Sequence, residues 1–171
     1  MPRNIEIKAR IDSVAALLPR VHAIAAQGPW DIRQDDTYFN CTGGRLKLRA
    51  FSAESGELIY YRRSRQVAPK ESHYLRSPTA SPDTLREALT LAYGELGRIR
   101  KQRLLFLRGR TRIHLDRVAG LGEFLELEVV LGADEPAAAG EREAHELLAQ
   151  LGIDSAALVA GGYLELVAAG R

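Results

Sequence analysis

Asn4-Ile5-Glu6-Ile7-Lys8-Ala9-Arg10-Ile11 puts a polar or charged side chain at every even position and an apolar one at every odd position. A strict period of two belongs to a β-strand with two chemically different faces. Three more stretches repeat the pattern: Arg45-Leu46-Lys47-Leu48-Arg49, Arg112-Ile113-His114-Leu115-Asp116 and Leu125-Glu126-Leu127-Glu128-Val129. The polar faces differ in kind. The second carries only cations, the fourth only carboxylates, and the third mixes Arg, His and Asp. On an open sheet such faces would point to water. If the strands close into a barrel, the charged faces converge inside and the apolar faces lie outside, under helices. The interior is then a cationic tunnel with a patch of carboxylates.

The rest of the chain supplies the parts for closure. Strands are expected at 3–11, 30–40, 45–51, 57–63, 72–77, 99–107, 111–118 and 123–131. Thr42-Gly43-Gly44, Ala53-Glu54-Ser55-Gly56, Arg108-Gly109-Arg110 and Ala119-Gly120-Leu121-Gly122 provide turns. Ser13 caps a helix running to about residue 27, with Val14, Leu17, Leu18, Val21 and Ile24 on its apolar side. Pro19 is expected to kink or interrupt it. Arg65 to Lys70 reads as a basic loop. Ser81-Pro82-Asp83 starts a second helix that Gly94 stops. Residues 134–150 and the surroundings of Tyr163-Leu164-Glu165-Leu166 are also helical. Eight short strands with three or four helices favour an α+β fold: a closed or nearly closed eight-stranded antiparallel barrel with helices packed outside.

Bulk properties narrow the function. The chain has 171 residues and a formal net charge of +2, which fits one domain over 1–171 and excludes a general nucleic-acid binder. The single cysteine, Cys41, allows no internal disulfide and no cysteine-based zinc site. No apolar run is long enough to span a bilayer and no signal-like segment opens the chain, so the expected location is cytoplasmic, away from membranes.

Ile5-Glu6-Ile7-Lys8, Asp36-Thr37-Tyr38-Phe39, Gly44-Arg45-Leu46-Lys47-Leu48-Arg49, Lys101-Gln102-Arg103, Arg112-Ile113-His114-Leu115-Asp116 and Glu126-Leu127-Glu128 follow one another in that order. Together they resemble the CYTH domain, the family of triphosphate tunnel metalloenzymes that holds class IV (CyaB-like) adenylyl cyclases and thiamine triphosphatases. The aspartate-threonine-tyrosine-phenylalanine stretch leans towards the cyclase branch. The resemblance implies an eight-stranded tunnel, a nucleoside or inorganic triphosphate as substrate, and Mg²⁺ or Mn²⁺ as cofactor. It implies conversion of ATP to cyclic AMP and pyrophosphate. The alternatives are hydrolysis of an inorganic or thiamine-type triphosphate, or a non-catalytic polyphosphate-binding module. One departure stands out: the family opens with Glu-x-Glu-x-Lys, and this chain has Asn4 at the first glutamate, with Glu6 and Lys8 in place.

Within that resemblance the roles fall as follows. Lys8, Arg45, Lys47, Arg49, Arg63, Lys101, Arg103 and Arg112 are expected to bind phosphate, because several permanent cations are needed and the Arg fork matches phosphate oxygens. Glu6, Asp116, Glu126 and Glu128 offer the hard oxygen ligands that Mg²⁺ or Mn²⁺ prefers. Glu6, Lys8 and Glu128 are expected to act at the reacting centre. His114 shares the face of Arg112 and Asp116 and is read chiefly as a hydrogen-bonded structural histidine. Tyr38, Tyr61 and Tyr74 are read as core or rim residues. Arg49→Ala or Arg103→Ala is expected to weaken phosphate binding at little cost to folding. A homodimer is left open.

Overall fold

The computed structural model describes residues 1–63 and 67–170. Its elements run β1 (Arg3–Ile11), α1 (Val14–Ile24), β2 (Gln27–Phe39), β3 (Arg45–Ser52), β4 (Ser55–Arg63), β5 (Lys70–Thr79), α2 (Pro82–Tyr93), β6 (Glu95–Arg108), β7 (Thr111–Val118), β8 (Gly122–Val130), α3 (Ala137–Gln150) and α4 (Tyr163–Ala169), with one 3-10 turn at Ser155–Ala157. The eight strands form a closed barrel in the order β1-β5-β4-β3-β2-β6-β7-β8. Closure rests on β1, which pairs antiparallel with β5 from Arg3↔His73 to Glu6↔Lys70 and with β8 from Asn4↔Val130 to Ile11↔Glu123. The other neighbouring pairs are antiparallel as well.

The alternation in the sequence becomes the radial order of the barrel. Ile5, Ile7, Ile113, Leu115, Leu125, Leu127 and Val129 point outward into an apolar cluster completed by Val14, Leu17 and Val21 of α1 and by Ala144, Leu147 and Leu148 of α3. The main hydrophobic core therefore lies outside the ring, between sheet and helices. A second cluster of Tyr38, Ile99, Val118, Phe124 and Tyr163 is backed by Leu164, Leu166 and Val167 of α4.

Several elements depart from the expected boundaries. Helix α1 runs through Pro19 without interruption. Pro19 and Ala15 both lie on the exposed side of the helix, so the carbonyl that loses its partner faces water, while Val14, Leu17 and Val21 hold the opposite side to the sheet. Strand β2 starts three residues earlier than expected and β5 extends at both ends, from Lys70 to Thr79. Lys70 thus belongs to a strand, and Arg65 lies outside the described residues. Among the described residues, no helix is long and apolar enough to cross a membrane.

Gly140 shows how closely α3 sits on the sheet. A Cβ there would meet Ile5 Cγ1 at 2.7 Å and Leu131 Cδ2 at 2.8 Å. Gly→Ala in a helix ordinarily stabilises by up to about 1 kcal/mol. Here overpacking, at about 1–3 kcal/mol, is expected to reverse the sign. Thermal melting of Gly140→Ala should show a lower Tm than the parent; a higher Tm would mean that α3 is free to lift from β1.

Candidate functional site

The inward faces of the strands enclose a cavity of about 260 Å³. Its lining carries Lys8, Lys47, Arg49, Arg63, Arg76, Lys101, Arg103 and Arg112 against Glu6, Glu57, Glu126 and Glu128. Cations therefore outnumber carboxylates two to one on a surface most of whose charged groups are largely shut off from solvent. Burying so many like charges without partners would be prohibitive, and the structure shows how they are matched.

One set is built on β2, β3 and β6. Asp36 is fully buried and does not line the cavity. Its Oδ1 accepts from Arg49 Nε at 2.8 Å; its Oδ2 accepts from Arg49 Nη2 at 2.7 Å, Lys47 Nζ at 3.0 Å and Lys101 Nζ at 3.4 Å. Burial by itself would raise the Asp36 carboxyl; the three cations overcome it and hold the group well below the carboxylate range. Burial pushes Lys101 well below the usual lysine range and Lys47 down too, with Asp36 opposing the shift in both.

A second set surrounds Asp116, also fully buried. Arg103 donates to it through Nε at 2.7 Å and Nη2 at 2.6 Å, and the Tyr163 hydroxyl of α4 donates at 2.6 Å. Asp116 was expected as a metal ligand. Both of its oxygens are taken, and it does not line the cavity, so its place is behind the wall, holding Arg103. The same contact corrects the folding expectation for Arg103→Ala, which would strand a buried carboxylate.

The acidic end lies where β1, β8 and β7 run side by side. The register sets Glu6 opposite Glu128 and Glu128 opposite Arg112; one step on, it sets Lys8 opposite Glu126 and Glu126 opposite His114. Carboxylates directly opposite each other repel. Burial, with Glu128 and Glu126 nearby, raises the Glu6 carboxyl against the pull of Arg63, whose Nη1 donates to Glu6 at 3.1 Å. Glu126 is held well below its usual range: burial would raise it, but Lys8 at 3.1 Å, His114 and Arg103 prevail. Arg112 donates to Glu128 at 2.9 Å. His114 both hydrogen-bonds Glu126, at 3.2 Å from Nδ1, and lines the cavity.

These acids fit a divalent cation. His114, Glu126 and Glu128 present ligand atoms that all lie within 4.8 Å of one another. The Oδ1 of Asn4, buried at 2% exposure on the cavity wall, has no hydrogen-bond partner. A neutral oxygen on the same strand face as Glu6, together with carboxylates and an imidazole, is a donor set suited to Mg²⁺ or Mn²⁺. Glu6 lines the same cavity but stands outside this close group.

Of the other expected residues, Lys8, Lys47, Arg49, Arg63, Lys101, Arg103 and Arg112 come together on the cavity wall. Arg45 does not reach it; its guanidinium is drawn to Glu165 of α4. Sequence reasoning missed Asp36 and Tyr163 as parts of the site. Asp36 stands inside one of the motifs and Tyr163 inside an expected helix, but nothing local distinguishes them, since their partners lie on distant strands. Lys70, buried opposite Glu6, was missed as well; burial and the neighbouring Arg63 and Lys8 bring it down to about 8.

The comparison with curated proteins returned no match. Among solved structures, a protein from Pyrococcus horikoshii superposes with a TM-score of 0.85 at 20% identity, covering 95% of this chain and 98% of that one. A candidate adenylate cyclase from Vibrio parahaemolyticus gives 0.74 at 22%, covering 96% and 97%. A candidate adenylyl cyclase from Hippeastrum, described as having a dominant triphosphatase activity, gives 0.69 at 15%, covering 100% and 97%. These likenesses establish the fold. The sequence profile of the CYTH domain matches residues 2–163, nearly the whole chain, and so the chain belongs to the CYTH-domain family.

Proposed function

We propose that this protein is a divalent-metal-dependent enzyme that hydrolyses a triphosphate inside the barrel. The observation that carries the reading is that one cavity joins a cationic wall to an acidic group. The wall of Lys47, Arg49, Lys101 and Arg103 is held on buried aspartates, and Glu126, Glu128 and His114 adjoin it, with Arg103 Nη2 3.2 Å from Glu126. Counting Asp36 and Asp116 behind the wall, the lining cations still exceed the carboxylates, so the cavity calls for a polyanion. A triphosphate carries about four negative charges, about two of them on its terminal phosphate.

The chain's own groups have separate tasks. Arg49 and Arg103 spend the Nε–Nη2 edge of the guanidinium on an aspartate. The Nη1 end of each is left for phosphate oxygens. Lys8, fixed by Glu126 and by the Tyr163 ring 3.8 Å from its Nζ, stabilises charge that develops on the leaving oxygen. A bound Mg²⁺ or Mn²⁺ would neutralise phosphate charge beside Glu126 and Glu128. In the overall reaction water attacks the terminal phosphorus, the bond to the bridging oxygen breaks, and orthophosphate and a diphosphate leave. The cavity volume lies just below the roughly 300–1,000 Å³ of pockets that enclose drug-sized ligands. It suits the phosphate chain better than a whole nucleotide.

A second reading, cyclisation of ATP to cyclic AMP and pyrophosphate, is favoured by one observation. Ile32, Phe51, Leu105 and Tyr74 give part of the lining an apolar, aromatic character on which a base can rest. Incubating the protein with Mg²⁺ or Mn²⁺ and either ATP or inorganic triphosphate separates the readings. Orthophosphate supports hydrolysis, cyclic AMP with pyrophosphate supports cyclisation, and binding without turnover defeats both.

Arg49→Ala should weaken triphosphate binding by about 1.5–3 kcal/mol, the range for a charge-assisted hydrogen bond. Folding should hold, because Lys47 and Lys101 still match Asp36. Unchanged affinity by calorimetry in a folded variant would place the anion site elsewhere.

A further inference from the structure

We infer that Asp36, which has no surface on the cavity, is the positioning residue of the phosphate wall: one carboxylate gathers Lys47, Arg49 and Lys101 and aims all three at the same bound anion. The inference rests on the triphosphate reading of the cavity and deepens it. Asp36 is fully buried and three cations from two flanking strands converge on its two oxygens, at 2.7–3.4 Å. Lys47 and Arg49 come from β3, and Lys101 comes from β6 on the other side of β2. No other carboxylate bonds any of the three among the described residues. One negative charge against three positive ones leaves the cluster two charges in surplus, and that surplus faces the cavity.

Without Asp36 the same three cations would lie side by side with only one another for company. The lysines then give up their protons more readily, which arginine cannot do, and phosphate-binding charge is lost. Burial is the largest influence on the two lysines and lowers both; Arg49 and Arg103 lower both further, Lys47 lowers Lys101, and Asp36 raises both. Asp116 faces Lys101 from β7, and the ring of Tyr163 lies 5.2 Å from its Nζ. Tyr38 and Tyr61 flank Lys47 with their rings at 5.7 and 5.6 Å. Apart from Asp116, which Arg103 already occupies, Asp36 is the acid in this set. Its removal must therefore shift both lysines further down.

The test is Asp36→Asn, which keeps the shape and a carbonyl acceptor but loses the charge. Inorganic triphosphate binding is measured by calorimetry, without metal, at about pH 6 and about pH 9, either side of the range into which buried lysines fall. At each pH two buffers of different ionisation enthalpy report the protons taken up. The expected result is an affinity loss of about ten- to hundredfold at the higher pH, a smaller loss at the lower pH, and extra proton uptake in the variant as the phosphate recharges the lysines. A residue that serves packing alone would move neither the proton count nor the pH profile. Equal loss at both pH values with unchanged proton uptake overturns the inference. If Asp36→Asn does not fold, the double variant Asp36→Asn/Lys101→Met, which removes one charge of each sign, should fold. Failure of the double variant as well would assign Asp36 to packing and overturn the inference. A parent protein that binds no triphosphate would instead overturn the reading of the cavity, and the inference with it.

Discussion

Glu128→Gln is expected to lower metal-dependent turnover by at least about a hundredfold while leaving metal-free triphosphate binding intact. Glu128 is one of three residues whose ligand atoms lie within 4.8 Å of one another, and it faces Glu6 across β1 and β8. A hard cation is held by ligand charge, and the amide supplies none. The stabilisation a metal gives a transferring phosphoryl group is several kcal/mol, and each 1.36 kcal/mol is a factor of ten in rate. The fold should tolerate the change. Arg112 donates to Glu128 at 2.9 Å, and the amide oxygen can still accept that bond. Phosphate binding without metal should, if anything, tighten, since a negative charge has left the cavity. Phosphate release in the presence of Mn²⁺, and calorimetry in its absence, measure the two halves separately. A variant that keeps turnover within a few-fold of the parent would show that Glu128 only balances Arg112.

Asp116→Ala should do the opposite and act on stability first. Breaking a buried pair by removing one partner costs about 3–5 kcal/mol, because Arg103, itself buried, is left among the described residues with Glu126 alone, at 3.2 Å. The Tyr163 hydroxyl loses its acceptor as well. For a chain of this size each kcal/mol moves Tm by about 2–4 °C, so a fall of about 6–20 °C is expected by calorimetric melting. The pH dependence carries the same information. Burial would raise the Asp116 carboxyl, but the Arg103 guanidinium overcomes it and holds the group at about 2, below the unfolded value of 3.8. A group depressed on folding contributes stability above its unfolded pKa and loses it as pH falls through the folded one. The parent should therefore lose roughly 2 kcal/mol of stability between about pH 4 and pH 2, and Asp116→Ala should lack that component of the acid transition. Equal acid sensitivity in both proteins would place the acid-labile group elsewhere.

The alternation in β1, β3, β7 and β8 carried the barrel, because period two is local and each strand announces its own two faces. β2 was harder to bound. Its first residue, Gln27, falls at the expected end of the first helix, and only pairing with the end of β6 brings it into the strand. The cationic wall was legible as residue types on a face, whereas its ordering was not. Asp36 and Lys101 are 65 residues apart in sequence, and Tyr163 is 47 from Asp116. Asp116 was misread for the same reason. It shares a strand face with Arg112 and His114, so it reads as another cavity ligand until Tyr163 and Arg103 are seen to claim it. Arg45 was drawn off by Glu165, which no strand pattern reveals.

The placement of the apolar core outside the ring has a consequence for how such a protein can change over time. In most domains the interior both stabilises the fold and forbids alteration. Here the contacts that hold the sheet to α1 and α3 and the groups that meet the ligand occupy opposite sides of the same strands. A substitution at an even position of β1 exchanges one charged neighbour for another and leaves Ile5 and Ile7 against α1 and α3 untouched. Chemistry can drift on one face while architecture is inherited on the other. A backbone that superposes with a TM-score of 0.85 on a chain sharing 20% of its residues is what that separation allows.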